Sequence, residues 1–132
     1  MSKDWCNDIA MMHEHYKVHP VIAKMDGDTL KKFLDFRVAF LEEELNELKT
    51  AKTGDDVVDA LIDLCVVAIG TLDGLGVDSY KAWDAVLTAN MNKKTGIKES
   101  RPNPLGLPDL IKPEGWEAPS HEDNIGLLSN FF

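Results

Sequence analysis

The sequence predicts an all-α fold: a bundle of four helices that assembles as an oligomer, followed by an irregular Pro-rich tail. Three observations predict it. Apolar residues recur at helical spacing in four successive segments, each opened by a capping residue. The stretch Asp59–Leu72 is apolar on nearly every side of a helical wheel, and after Asp59 its only charge is Asp63. Such a helix is a buried one. Finally, five of the six prolines (Pro102, Pro104, Pro108, Pro113 and Pro119) fall in Arg101–Phe132.

Composition bounds the function. The 132 residues make one domain with a modest core. Fourteen Lys and Arg face 23 Asp and Glu, a formal net charge of -9. That balance opposes a nucleic-acid binder, which needs a basic stripe, and opposes docking on an anionic membrane. It is compatible with a small anionic ligand bridged by metal ions. Two cysteines, Cys6 and Cys65, are too few for a disulfide framework. With no signal-type apolar run after Met1, the expected compartment is cytoplasmic. The Ala60–Leu72 run is shorter than the ~20 residues that cross a bilayer.

The first helix is expected from an Asp4 cap to about Lys17, with Trp5, Ile9, Met12 and Tyr16 as its buried stripe. His13, His15 and His19 cluster at its end. His15 and His19 are four apart, a spacing that metal ligands use; the plainer reading is a polar helix end stopped by Pro20. Pro20–Asp28 reads as a connector. Asp28 or Thr29 then caps a second helix, Leu30–Ala51, in which Arg37 and Glu44 sit in or beside the stripe of Phe33, Leu34, Leu41, Leu45 and Leu48.

Lys49–Asp56 is a short connection, with Gly54 as a helix C-terminal cap and Asp55 or Asp56 as the next N-cap. The third helix runs Asp56–Leu75. Val57, Leu61, Leu64, Ala68, Leu72 and Leu75 form one stripe; Ile62, Val66 and Ile69 form another. One small domain rarely covers both, so a second protomer is expected, giving a homodimer or tetramer. The fourth helix spans Tyr80–Lys93. Tyr80 and Trp83 are candidate base-stacking rings, although a Trp at helical spacing is more often core. The expected domain covers residues 1–96. An extension, 97–132, packs on it or on a neighbouring protomer, with a short hairpin at Leu110–Trp116.

The chemistry lies in the second and third helices. A short loop makes them an antiparallel pair. Folding near Thr53 sets Glu47 level with Asp59, and Glu43 level with Asp63. Glu43, Glu44 and Glu47 share a face, as do Asp59 and Asp63, so four or five carboxylates converge. Oxygen ligands at that density suit Mg²⁺ or Mn²⁺. Such ions neutralise the cluster, bind a triphosphate and activate a water. A lone Glu-Glu-x-x-Glu would read as a solvated helix face; Asp63 and the matched levels favour the metal.

Glu43-Glu44-Leu45-Asn46-Glu47-Leu48, followed by Asp59-Ala60-Leu61-Ile62-Asp63, resembles the all-α nucleoside triphosphate pyrophosphohydrolases. That superfamily includes MazG-like proteins, dimeric dUTPases and phosphoribosyl-ATP pyrophosphohydrolases. The resemblance extends through Gly70-Thr71-Leu72, Gly74-Leu75-Gly76-Val77-Asp78 and Ala89-Asn90-Met91-Asn92-Lys93, covering about Asp8–Lys94. It is strongest to the small MazG-like branch. It implies cleavage between the α and β phosphates of a nucleotide, giving monophosphate and pyrophosphate.

By resemblance, Glu44, Glu47 and Asp63 ligate Mg²⁺, and Glu43 holds or deprotonates the water and contacts a second ion. Asn90 and Lys93 resemble the phosphate-contacting pair. Arg37 is close enough to pair with Glu44 or to reach a phosphate. The sequence departs from the family at one point: its Glu-x-x-Asp motif has Ala60 in place of Glu, and Asp59 is the candidate replacement. Two other classes stay open: a non-catalytic nucleotide or metal sensor, and an acidic helical interaction module.

Overall fold

The computed structural model describes residues 3–98, 100 and 104–132. Arg101 and Pro102, at the start of the expected tail, lie outside them. The described chain is mostly helical. Its helices are α1 (Trp5–His15), α2 (Val18–Ala23), α3 (Gly27–Thr50), α4 (Gly54–Gly74) and α5 (Ser79–Met91). Two short strands, β1 (Lys94–Gly96) and β2 (Asp109–Ile111), and a 3₁₀ turn (Gly126–Asn130) complete it. Two compact units form: the chain up to Ser79 together with Ile125–Phe132, and Tyr80–Asn124.

In the first unit Asp4 caps α1 as expected, its carboxylate accepting from the Asn7 amide at 3.0 Å. The chain then departs from expectation. α1 ends at His15, because Lys17 adopts the left-handed region (φ 57°). A non-glycine residue held there costs on the order of 1–3 kcal/mol. α2 begins before the expected connector and runs into it, with Pro20 in its first turn, where a missing N–H has no intrahelical partner to lose. Of the predicted stripe only Ile9 is buried; Trp5 and Tyr16 are exposed.

Asp26, not Asp28 or Thr29, caps α3; its carboxylate accepts from the Thr29 amide at 2.8 Å. Thr53 caps α4, its hydroxyl accepting from the Asp56 amide at 3.1 Å. Gly54 is therefore the first residue of α4, not the C-cap of α3. Asp55 and Asp56 lie in the first turn of α4, where acidic side chains complement the helix dipole.

α3 and α4 run antiparallel, which the contacts establish directly. A Cβ on Gly74 would lie 3.2 Å from Phe33 Cζ, and one on Gly70 would lie 2.9 Å from Arg37 Nη2. Moving toward the loop, Glu44 and Glu47 face Asp63. Ile22, Leu30 and Leu75 form the core, with Phe33, Leu34, Leu127 and Phe131 against it. α4 is not buried all round in the single chain. Ala60, Val67 and Gly70 face inward, whereas Val58, Leu61 and Ile62 are exposed.

The 3₁₀ turn is tied back by the Leu127 amide, which donates to the Leu75 carbonyl at 2.7 Å. Gly126 makes this approach possible: its φ is +54°, and a Cβ there would run into the Leu75 carbonyl oxygen. Gly126→Ala is expected to lower the melting temperature. The left-handed backbone alone costs about 1–2 kcal/mol, and the clash adds to it. The variant should also speed proteolysis of the C-terminal segment; an unchanged melting curve would refute the constraint.

In the second unit β1 and β2 pair antiparallel, Lys94 opposite Ile111 and Gly96 opposite Asp109. The expected hairpin at Leu110–Trp116 is therefore wrong in partner: β2 pairs backward with β1. The chain after it turns instead, the Trp116 amide donating to the Pro113 carbonyl. Trp116 Nε1 donates to the Ala89 carbonyl at 2.7 Å, tying the irregular segment to α5.

Candidate metal and nucleotide site

The site is built on the α3–α4 pair. Glu44 and Glu47 are three apart on α3, one turn of a single face. Asp63 meets them from α4. One carboxylate oxygen from each of Glu44, Glu47 and Asp63 lies within 4.8 Å of the others.

Burial is distributed differently from the sequence reading. Glu44 is the buried carboxylate, 9% exposed, while Asp63 is half-buried and Glu47 exposed. Glu44 Oε2 is fully enclosed and accepts no hydrogen bond from any described group. A buried acceptor without a donor is costly. Burial pushes the Glu44 carboxyl above its ordinary range; contact with the Glu47 carboxyl and the charges of Glu47, Asp63 and Glu43 push the same way. Burial also raises Asp63, followed by the charges of Asp59 and Glu47 and a hydrogen bond with Asp59.

The remaining expected ligands are placed as follows. Asp59 is exposed and within hydrogen-bonding reach of Asp63. Glu43 is exposed, outside the group of three, and near enough for its charge to act on Glu44. Ala60 is 2% exposed. Its short side chain borders a hollow of about 240 Å³ lined by Glu47, Thr50, Ala51, Asp56 and Asp59. A Glu at this position would reach into space that three acidic residues now share.

Arg37 lies deeper in the same helix pair. Its Nε donates to Thr71 Oγ1 and its Nη2 to the Val67 carbonyl, both at 2.9 Å. Burial lowers its pKa. Among the described ion pairs none joins it to Glu44. Asn90 and Lys93 belong to the second unit, where the Lys93 amide donates to the Asn90 carbonyl. Lys93 Nζ lies 5.2 Å from the centre of the Trp116 ring, and Lys112 Nζ lies 5.1 Å from it. This cation–π arrangement escaped the sequence reading, because the two lysines and the ring are spread over 24 positions of the sequence with no periodicity to link them.

The donor set suits a hard divalent cation. All ligands are oxygens, several are ionisable, and the buried Glu44 oxygen lacks the positive partner that its position demands. The family model for phosphoribosyl-ATP pyrophosphohydrolase matches residues 22–90, just over half of the chain. The chain belongs to this family. The match contains α3 and α4 entire, and with them every carboxylate of the site. No curated protein and no solved structure gives a significant match. Membership makes this a pyrophosphohydrolase of the MazG-like superfamily, acting on nucleotides. It accords with the helical architecture and with metal dependence as the family's usual condition. Among the described residues no single helix is long and apolar enough to cross a membrane.

Proposed function

We propose that this chain hydrolyses a nucleoside triphosphate, or a nucleotide carrying the same anhydride, between the α and β phosphates. The products are a nucleoside monophosphate and pyrophosphate. The observation that carries this reading is the Glu44–Glu47–Asp63 group, with its enclosed, donorless Glu44 oxygen, inside the matched family region.

Glu44, Glu47 and Asp63 would hold Mg²⁺, with Asp59 serving where the family has its fourth carboxylate. Mg²⁺, or Mn²⁺, supplies Lewis acidity and neutralises the charge of the triphosphate. Glu43, exposed beside the group, accepts the proton of the attacking water. The water oxygen bonds to phosphorus, the bridging P–O bond breaks, and the bridging oxygen leaves with pyrophosphate. Asn90 and Lys93 contact phosphate oxygens, Lys93 as a point charge toward negative charge that develops in the transition state. Arg37 contributes through Nη1, the guanidinium nitrogen outside its bonds to Thr71 and Val67.

The working form is a homo-oligomer. Phe36 on α3 and Val58, Leu61 and Ile62 on α4 are each more than two-fifths exposed in the single chain, and a second copy would cover them. The unpaired Cys6 and Cys65 fit a reducing cytoplasm.

The test is product analysis over a panel of ribo- and deoxynucleoside triphosphates and phosphoribosyl-ATP, with Mg²⁺ and with chelator. Monophosphate plus pyrophosphate, formed only with metal, is expected. Diphosphate plus orthophosphate, or turnover in chelator, would overturn the reading.

A further inference from the structure

A second group of ligands lies in the first unit, on helices that sequence spacing does not associate. His13 Nδ1 is 2.6 Å, and His19 Nε2 2.7 Å, from the same oxygen of Asp73. All three ligand atoms lie within 4.8 Å of one another. On one continuous helix residues 13 and 19 would point about 120° apart, on different faces. The break at Lys17 redirects α2 and brings the two rings to 5.8 Å between centres, edge to face. Asp73 reaches them from the last turn of α4. His15, the sequence candidate, has no place in this group.

We propose that His13, His19 and Asp73 form a second metal site, selective for a borderline divalent cation such as Zn²⁺. Two imidazole nitrogens and one carboxylate are a donor set that Zn²⁺ accepts and that Mg²⁺ avoids, whereas the all-oxygen group at Glu44 has the opposite preference. The burial gradient fits an ion with one open position. The side chains of His13 and Asp73 are 10% and 19% exposed, and that of His19 is 44% exposed, leaving one side for water.

A tetrahedral ion with bonds of ~2.0–2.1 Å sets its ligand atoms ~3.3 Å apart. The two nitrogen–oxygen separations therefore open by ~0.6–0.7 Å: rotation of the exposed His19 ring supplies one, and a shift of the part-exposed Asp73 carboxylate away from the buried His13 supplies the other. The His13 ring packs over Gly70: a Cβ there would lie 3.4 Å from His13 Nε2, at van der Waals contact. Asp73 is ten residues beyond Asp63 on α4, roughly 15 Å along the axis, so the two groups bind separately. An ion here fastens α1 and α2 to the end of α4.

The test is equilibrium dialysis of the full chain against Zn²⁺ in a large excess of Mg²⁺, followed by metal analysis. Wild type and Glu44→Gln are expected to retain zinc equimolar with the chain. His19→Ala and Asp73→Asn should lose it, with affinity down by at least the ~10–100-fold that removal of a mere outer-sphere partner causes. Cobalt in place of zinc should give visible absorption bands that His19→Ala abolishes. His19 is exposed, so its variant keeps the fold and decides the matter should Asp73→Asn not fold. Loss of zinc to Mg²⁺ in wild type, retention in His19→Ala, or loss specific to Glu44→Gln would overturn the site.

Discussion

Glu44→Gln should lower kcat/KM by roughly a thousandfold, leave the helices intact and raise the melting temperature of the metal-free protein. Gln keeps the shape of Glu44 and removes its charge. In the metal-free chain that charge is a liability: Glu44 is enclosed, one oxygen has no donor, and Glu47, Asp63 and Glu43 all repel it. A neutral amide ends the repulsion and can donate to Glu47. With metal and substrate the balance reverses. Losing an anionic ligand weakens metal binding, and a metal's stabilisation of transition-state charge amounts to several kcal/mol, equivalent to about three orders of magnitude in rate. Asp63→Asn should act in the same direction. Far-UV circular dichroism, thermal melts and steady-state kinetics in Mg²⁺ check the three parts. Wild-type turnover in both variants would remove these carboxylates from the site. Lost turnover with collapsed helicity would make Glu44 a structural residue.

The α3–α4 hairpin was legible in the sequence because two independent periodicities agree on it. Apolar stripes give the helices, and a short polar loop between them forces antiparallel pairing, so levels of the chain can be matched by counting. Because a helix advances evenly, the count comes within one residue of the contacts, which set Arg37 beside Gly70 and Phe33 beside Gly74. Caps were less legible, since Asp26, Asp28 and Thr29 are all acceptable capping residues, and only the geometry of the preceding chain selects Asp26. Which carboxylate is buried was not legible either. Asp63 stands out on an apolar wheel, yet that wheel has a face left open in the single chain, and the enclosed group is Glu44 from the more polar helix.

Two features had no local signal at all. The pairing of β1 with β2 joins three-residue segments that stand far apart in sequence and are too short to carry alternation. The break at Lys17 uses a left-handed residue without glycine, so no composition marks it, and the meeting of His13, His19 and Asp73 depends on that break. The expectation that Pro20 ends a helix was reasonable for a helix interior. It failed because a proline is equally at home in a first turn.

Without metal, the carboxylate group should make the protein less stable as pH rises; with Mg²⁺ that loss should disappear. Burial and mutual repulsion raise the Glu44 and Asp63 carboxyls in the folded chain. Between their ordinary and raised values, the folded state therefore binds more protons than the unfolded state. Stability then falls with increasing pH: the loss begins in the ordinary carboxylate range and is complete once pH exceeds the raised values. Asp26 and Asp123 work oppositely. The hydrogen bonds from Thr29 lower Asp26, and Lys81 lowers Asp123, so their contributions are lost as pH falls. The difference in melting temperature between wild type and the Glu44→Gln, Asp63→Asn double variant cancels these and isolates the cluster. In chelator, that difference should start near zero in acid and become negative toward neutral pH. Mg²⁺ binds the deprotonated folded cluster, so at neutral pH it should reverse the sign. At about a hundred times its Kd it stabilises by about 2.7 kcal/mol, on the order of 10 °C in a chain of this size. The double variant should show little of that shift. An equal Mg²⁺ shift in the double variant would mean that the ion binds elsewhere; a wild-type melting temperature insensitive to Mg²⁺ at neutral pH would mean that the cluster holds no ion.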